Sequence, residues 1–398
     1  MKACIYDSLK SNKKTNLSEI TQGELMKNLF TLDIKNYFPH WNKNKRDSSR
    51  GIIISGGKKD LPLSQNDKIS LVFAKNQGYY KFPGGGIDAD EDKIEALIRE
   101  VSEETGLTII RESIKEFGKV TRYQKSTQTE NTIFEQESFY YFAEVKNETH
   151  KQNLDSYEKD AGFELRTVTI KEAITANMQY KSKDSFDLLM IARDTSILQI
   201  LIGNKPEPSK QFAHYLLNES AILNPGPWKS HSIEVAESAE KIAKAVQENG
   251  GNLNPDKAYI YGLLHDIGRR FGVTYLAHVI DGYDYLSAMG FENAARICIT
   301  HSFNLKTIDD YIGKTDVSDS QLKKIQNLLD SYEYDDYDKL IQLMDSTCNA
   351  DGTKNLEKRM EDVKNRYGYY PQGKYDKNFE LKSYFEKLMD KDLYSVLQ

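Results

Sequence analysis

One stretch of this chain leaves little freedom in how it folds. From Gly85 to Leu107 it reads GGIDADEDKIEALIREVSEETGL, with Glu100, Glu103 and Glu104 at i, i+3 and i+4. A helix sets those three carboxylates on one face, where like charges repel. A cation beside them relieves the repulsion, and clustered hard oxygen ligands suit magnesium or manganese. Arg99 precedes the triplet, Glu91 falls near the start of the helix where negative charge is favourable, and Gly106 follows where a left-handed C-cap residue is expected. Gly84, Gly85 and Gly86 allow tight turns just ahead. A solvated amphipathic helix also carries paired glutamates, but not this combination of spacing, glycines and flanking strand.

Around this segment the chain alternates in character. RGIIISGGK, KISLVFAKN, YYKFPGGGI and ESFYYFAEV read as strands, so the first domain is α/β or α+β. The chain has 398 residues, and about 150 per domain argues for more than one core. The clearest linker is GNKPEPSK, from Gly203 to Lys210, with two prolines and a glycine. Beyond it Ile233, Val235, Ala236, Ala239, Ile242, Ala243 and Val246 recur at helical spacing without convincing strands, so the second domain reads as all-α. The expected division is a polar extension over 1–30, with a helix near Leu25 to Leu29, a first domain over 31–203, a linker over 204–210 and a second domain over 211–398. Phe186 to Ile202 carries Arg193 and Asp194 in its middle, which predicts an amphipathic helix and excludes a bilayer span.

Composition narrows the function classes. A formal net charge of -6 argues against a protein that gains its affinity by neutralising a phosphate backbone, so nucleic acid is an unexpected partner. A mean hydropathy of -0.64 excludes membrane residence. Three scattered cysteines fit a reducing compartment and the N-terminus lacks the apolar run of a secretory signal, so the expected location is the cytoplasm. The sequence assigns no oligomeric state.

Four of the seven histidines, His231, His265, His278 and His301, fall in one segment followed by Asp345. His265 and Asp266 close the apolar helix AYIYGLLHDIG, and imidazole with carboxylate suits transition ions better than calcium. Other polar residues leave two readings open. Lys119, Arg122 and Lys125 contact phosphate or solvate a strand. Glu135 and Glu137 share a strand face and supply a general base or mark an exposed edge. Arg269 and Arg270 reach a substrate phosphate or solvate a helix end.

Gly85, Glu91, Arg99, Glu100, Glu103, Glu104 and Gly106 meet every fixed position of the Nudix box, and roughly residues 31–200 resemble the Nudix hydrolases. The resemblance implies a box helix packed on a mixed sheet in an α/β sandwich. It also implies hydrolysis of a nucleoside diphosphate linked to another moiety, with Mg2+ or Mn2+ held by Glu100, Glu103 and Glu104. Arg99 would orient a catalytic carboxylate, and Tyr123 lies where enzymes of dinucleoside polyphosphates often have a tyrosine. The order H, HD, H, H, D resembles the HD-domain metal-dependent phosphohydrolases, which implies a helical bundle. His231, His265, Asp266 and Asp345 would hold one ion of Mn, Fe, Zn, Ni or Co, and the catalytic Asp266 with His278 and His301 a second. The expected function is therefore a bifunctional metal-dependent hydrolase of small nucleotide-like substrates. A nucleotide-sensing regulator, one head binding ligand and controlling the other, is the competing expectation.

Overall fold

The computed structural model of the protein describes residues 26–57 and 60–398. The chain divides into two compact units, Met1–Phe212 with Ala288–Gly290, and Ala213–Ser287 with Phe291–Gln398. The first contains strands β1 (Asn28–Asp33), β2 (Asn42–Lys45), β3 (Ser48–Ile54), β4 (Lys68–Ala74), β5 (Tyr79–Lys81), β6 (Leu107–Ile109), β7 (Lys115–Lys125), β8 (Thr132–Phe142), β9 (Val145–Thr149) and β10 (Phe163–Thr169). Its principal sheet runs β1-β7-β8-β3-β4-β10, with β2 on β8 and β5 on β4; β6 and β9 form a separate ladder. Pairing is mixed: β3 runs parallel to β8 and antiparallel to β4.

Helix α1 (Lys93–Thr105) carries the acidic triplet. Asp92 caps it by accepting from Ile94 N, and Gly106 ends it at φ 73°. Leu97 and Val101 point into a core with Ile53, Phe139 and Tyr141, and burying each aliphatic side chain contributes roughly 2 kcal/mol. That packing fixes which face of α1 is left for its carboxylates. The unit also holds α2 (Ser156–Ala161), α3 (Ile170–Gln179) and α4 (Ser185–Leu201).

Helix α4 departs from the amphipathic expectation, because Arg193 and Asp194 are buried along with its apolar residues. Arg193 Nε donates to Asp194 Oδ1 at 2.8 Å, and its Nη1 donates to Gln136 Oε1 at 3.0 Å and Ser138 Oγ at 2.9 Å. A charge in mid-helix is tolerated here because its partner is the next residue and β8 supplies the remaining acceptors.

The N-terminal expectation also needs correction. Residues 28–33 form a strand rather than the end of a helix, since Phe30, Leu32 and Ile34 bury themselves beside β7. Most of the proposed extension, residues 1–25, lies outside the described residues. The expected linker is not a loose tether. Residues 204–209 have no regular structure, yet Pro206 and Pro208 are buried, and Glu207 N donates to Gln199 Oε1 at 2.9 Å.

The second unit is helical, as expected. Beyond α5 (Lys210–Leu223) come α6 (Trp228–Glu248), α7 (Pro255–Leu264), α8 (Ala277–Ala288), α9 (Glu292–Thr300), α10 (Asp319–Ser331), α11 (Asp336–Asp345), α12 (Leu356–Tyr367), α13 (Gln372–Met389) and α14 (Leu393–Leu397). The exception to an all-α reading is a two-strand ladder, β11 (Cys348–Asn349) with β12 (Gly352–Thr353). No helix among the described residues is long and apolar enough to cross a membrane.

Candidate functional sites

In the first unit Arg99 organises the box. Its Nε and Nη2 grip Glu91 through two bonds of 2.8 Å, Nη2 also donates to Gly86 O at 3.1 Å, and Nη1 donates to Glu100 at 2.7 Å and Glu103 at 3.2 Å. This fork holds the turn against the helix. The bond from Arg99 lowers the Glu91 pKa, while burial, only partly opposed by Arg99, raises that of Glu100. A Cβ on Gly85 would collide with Glu100 Oε2, so any side chain there would displace this carboxylate.

Glu104 is buried, with Lys81 of β5 on Oε1 and Gly84 N on Oε2, the latter at 2.8 Å. The residue types fit a hard cation, but the arrangement divides them: Glu100 and Glu103 share Arg99, and Glu104 is turned to Lys81. Two buried groups support the turn from behind. Arg50 Nη1 donates to the carbonyls of Phe82 and Gly84 at 3.3 and 3.1 Å, and Asp194 Oδ2 accepts from Phe82 N at 3.1 Å.

Strands β7 and β8 place the remaining candidates. Arg122 is a correction: it lies in the interior between the rings of Phe134 and Phe186, at 4.7 and 4.2 Å, because its strand face packs against α4 rather than solvent. Lys119 pairs with Glu137, and Lys43 with Glu135 at 2.8 Å. Burial favours a higher pKa for Glu137, but the bond to Lys119 and the charges of Lys119 and Lys45 outweigh it and lower the pKa, which opposes a general base in this arrangement. Tyr123 is half-buried, with Lys43 Nζ 5.5 Å from its ring centre.

The second unit gathers its candidates closely, all at or near helix ends. His231 sits in the first turn of α6, His265 and His301 cap α7 and α9, His278 lies in the first turn of α8, and Asp345 ends α11. The negative C-terminal ends of α7, α9 and α11 favour a cation there. Three imidazoles are oriented alike. His265 Nδ1 meets Gly262 O at 2.6 Å, His301 Nδ1 meets Ile297 O at 3.0 Å, and His278 Nδ1 meets Tyr275 O. A carbonyl only accepts, so each Nδ1 carries the proton and each Nε2 offers its lone pair.

The ring nitrogens and the carboxylates converge. His231 Nε2 lies 2.9 Å from Asp345 Oδ1, and His278 Nε2 lies 3.1 Å from Asp266 Oδ1. Two sets, His231 with His265 and Asp345, and His265 with Asp266 and His301, have ligand atoms within 4.8 Å of one another. His265, rather than Asp266, is common to both. His265 Nε2 and Asp266 Oδ1 are buried without a hydrogen-bond partner, a cost that a metal ion would remove, so these residues fit one. Burial, then the charge of His265, pushes His301 down to about 3, which keeps it a neutral ligand. Burial opposes the charge of Asp266, but Arg269, His278 and His265 hold its carboxyl well below the usual range.

Arg269 Nε reaches Asp266 Oδ2 at 2.5 Å and also borders the cavity over the cluster. Arg270 points away, buried against Tyr285 at 4.1 Å and bonded to Ser220 Oγ, so it solvates no helix end. The cavity has a volume of about 550 Å³ and includes Arg359 and Arg366 in its wall. Sequence reasoning missed Arg50, Lys81, Arg359 and Arg366. The only signal for Lys81 was a lysine interrupting an apolar strand before the glycines.

A NUDIX domain matches residues 45–189 and an HD domain residues 228–350. Among solved structures, the chain is similar to a NUDIX hydrolase from Nitrosomonas europaea at 17% identity and a TM-score of 0.26, covering 39% of this chain and 90% of that one. The E. coli ORF135 protein is similar at 18% and 0.23, covering 39% and 92%. The MutT protein of Bacillus halodurans gives 16% and 0.24, covering 39% and 82%. No curated protein matches. Residues 45–189 thus belong to the NUDIX family and residues 228–350 to the HD family, both of them metal-dependent hydrolases of phosphorus-containing bonds.

Proposed function

We propose that the protein is a two-site nucleotide phosphohydrolase. The HD unit hydrolyses a phosphate ester or anhydride of a nucleotide, and the NUDIX unit splits a phosphoanhydride in a nucleoside diphosphate-linked substrate. The observation that carries the reading is the trio of imidazoles His265, His278 and His301, each with Nδ1–H fixed on a backbone carbonyl and Nε2 turned to the cluster. A transition ion held by His231, His265, Asp266, His301 and Asp345 would supply an acidified water and polarise a phosphoryl oxygen. The chain's own contribution is orientation: Arg269 fixes Asp266, and backbone carbonyls fix three rings. In the NUDIX unit Arg99 positions Glu100 and Glu103, which with Glu104 are the proposed magnesium or manganese ligands.

Asp266→Asn is expected to lower the transition-metal content of the purified protein and stop HD turnover while leaving NUDIX turnover intact. Unchanged metal on elemental analysis would refute the assignment. Glu103→Gln, at a half-exposed position that does not threaten folding, is expected to have the reverse selectivity in a magnesium-supplemented nucleotide screen. A specific observation favours a second reading, in which the NUDIX unit senses a nucleotide and regulates the HD unit. Glu104 is occupied by Lys81 and Gly84 N rather than grouped with Glu100 and Glu103. NUDIX-directed nucleotides that bind and change HD turnover, with no cleavage of their own, would decide for it.

A further inference from the structure

The wall of the HD cavity extends beyond residues 228–350, onto α12. Arg359, Met360, Val363, Arg366 and Tyr367 line the cavity and lie at i, i+1, i+4, i+7 and i+8, so one face of this helix looks into it. Arg359 Nε is spent on Cys348 O at 3.3 Å, but its Nη1 is buried without a hydrogen-bond partner. A buried guanidinium N–H left unpaired is costly and calls for an acceptor. Arg366 is exposed two turns further on. In a chain of net charge -6, the cavity carries Arg269, Arg359, Arg366 and Lys374 against Asp266 and Asp345, four basic groups to two acidic. Lys374 is already committed to Ser302 O at 2.7 Å and Asp310 O at 3.2 Å, and Arg269 to Asp266. Arg359 and Arg366 therefore remain for a ligand.

Seven residues of helix separate the two arginines by about 10 Å along the axis, further than one phosphate group spans. We infer that Arg359 and Arg366 grip different phosphates of the HD substrate's phosphate chain, and that this unit selects nucleotides with two or more phosphates over monophosphates. The inference rests on the phosphohydrolase reading of the HD unit. Guanidinium forks suit this task because each binds two phosphate oxygens in one plane.

Trp228 borders the same cavity, and Trp41 is the other tryptophan of the chain, so a Trp41→Phe background makes emission at Trp228 a reporter of cavity occupancy alone. Titration of this full-length protein with AMP, ATP and inorganic triphosphate, under chelation to prevent hydrolysis, is expected to give ATP and triphosphate binding at least about tenfold tighter than AMP. Arg366→Gln, which alters an exposed side chain, and Arg359→Gln are each expected to weaken both polyphosphates about tenfold or more while moving AMP less than about threefold. Should Arg359→Gln fail to fold, Arg366→Gln decides alone. Equal affinity for AMP and ATP, or an unchanged triphosphate affinity in Arg366→Gln, would overturn the inference. Metal analysis of untreated samples separates the two levels. Protein that holds metal but lacks phosphate-chain selectivity refutes this inference and leaves the HD reading standing, whereas protein without metal at the histidine cluster refutes both.

Discussion

Lys81 and Glu104 form an ion pair shut away from water, and removing one partner of such a pair leaves a charge without compensation. Lys81→Met is expected to destabilise the first unit by roughly 3–5 kcal/mol in metal-free equilibrium unfolding. If Glu104 is a metal ligand, saturating magnesium should restore more stability to this variant than it adds to the wild type, because the ion replaces the missing ammonium. Equal stabilisation of both proteins would remove Glu104 from the ligand set. Sequence spacing was enough to single out Glu100, Glu103, Glu104 and the histidine series, since helical periodicity and motif order are local properties. Lys81 and Arg359 were not legible in that way. Their significance comes from partners distant in sequence, Glu104 and Cys348, and spacing carries no information about such pairings. Arg122 shows the same limit in reverse: as a charged residue on an alternating strand it reads as exposed, but two aromatic rings enclose it.

Among the elements, α4 does more than cover the sheet. Through Asp194 it holds Phe82 N, and through Arg193 it reaches the β8 side chains Gln136 and Ser138, so the box turn is braced by a helix far along the chain. Arg193→Met keeps side-chain length but strands Asp194, and is expected to cost roughly 3–5 kcal/mol in urea unfolding of the first unit. A loss below about 1 kcal/mol would show that Arg50 or Tyr140 can compensate Asp194 without it. The strands around β3, β4 and β8 were legible because apolar alternation reports a half-buried sheet. The character of α4 was not, because a buried ion pair in a helix looks the same in sequence as a solvated one. The strand at Asn28–Asp33 escaped for a different reason: Phe30, Leu32 and Ile34 alternate, but the run is short and its pairing with β7 is a tertiary event.

For the molecule as a whole, each unit has its own core, and we predict that a chain cut near Pro206 gives two halves that fold and act separately. The first half would lose the bonds between Ser182 and Gln211, so a modest fall in its melting temperature is expected, checked by calorimetry of each half. Halves that fold only when expressed together would overturn this. The fixed imidazoles of the HD unit bear on the order in which a working protein is made. Their Nδ1 anchors are carbonyls of the chain itself, so the backbone sets the orientation of these three rings. Prolonged chelation is accordingly expected to leave far-ultraviolet circular dichroism unchanged while HD turnover disappears and returns on adding back metal; collapse of the helical signal would contradict it. If the helical signal persists, folding and loading would be two separate events, with the site finished before any metal enters it.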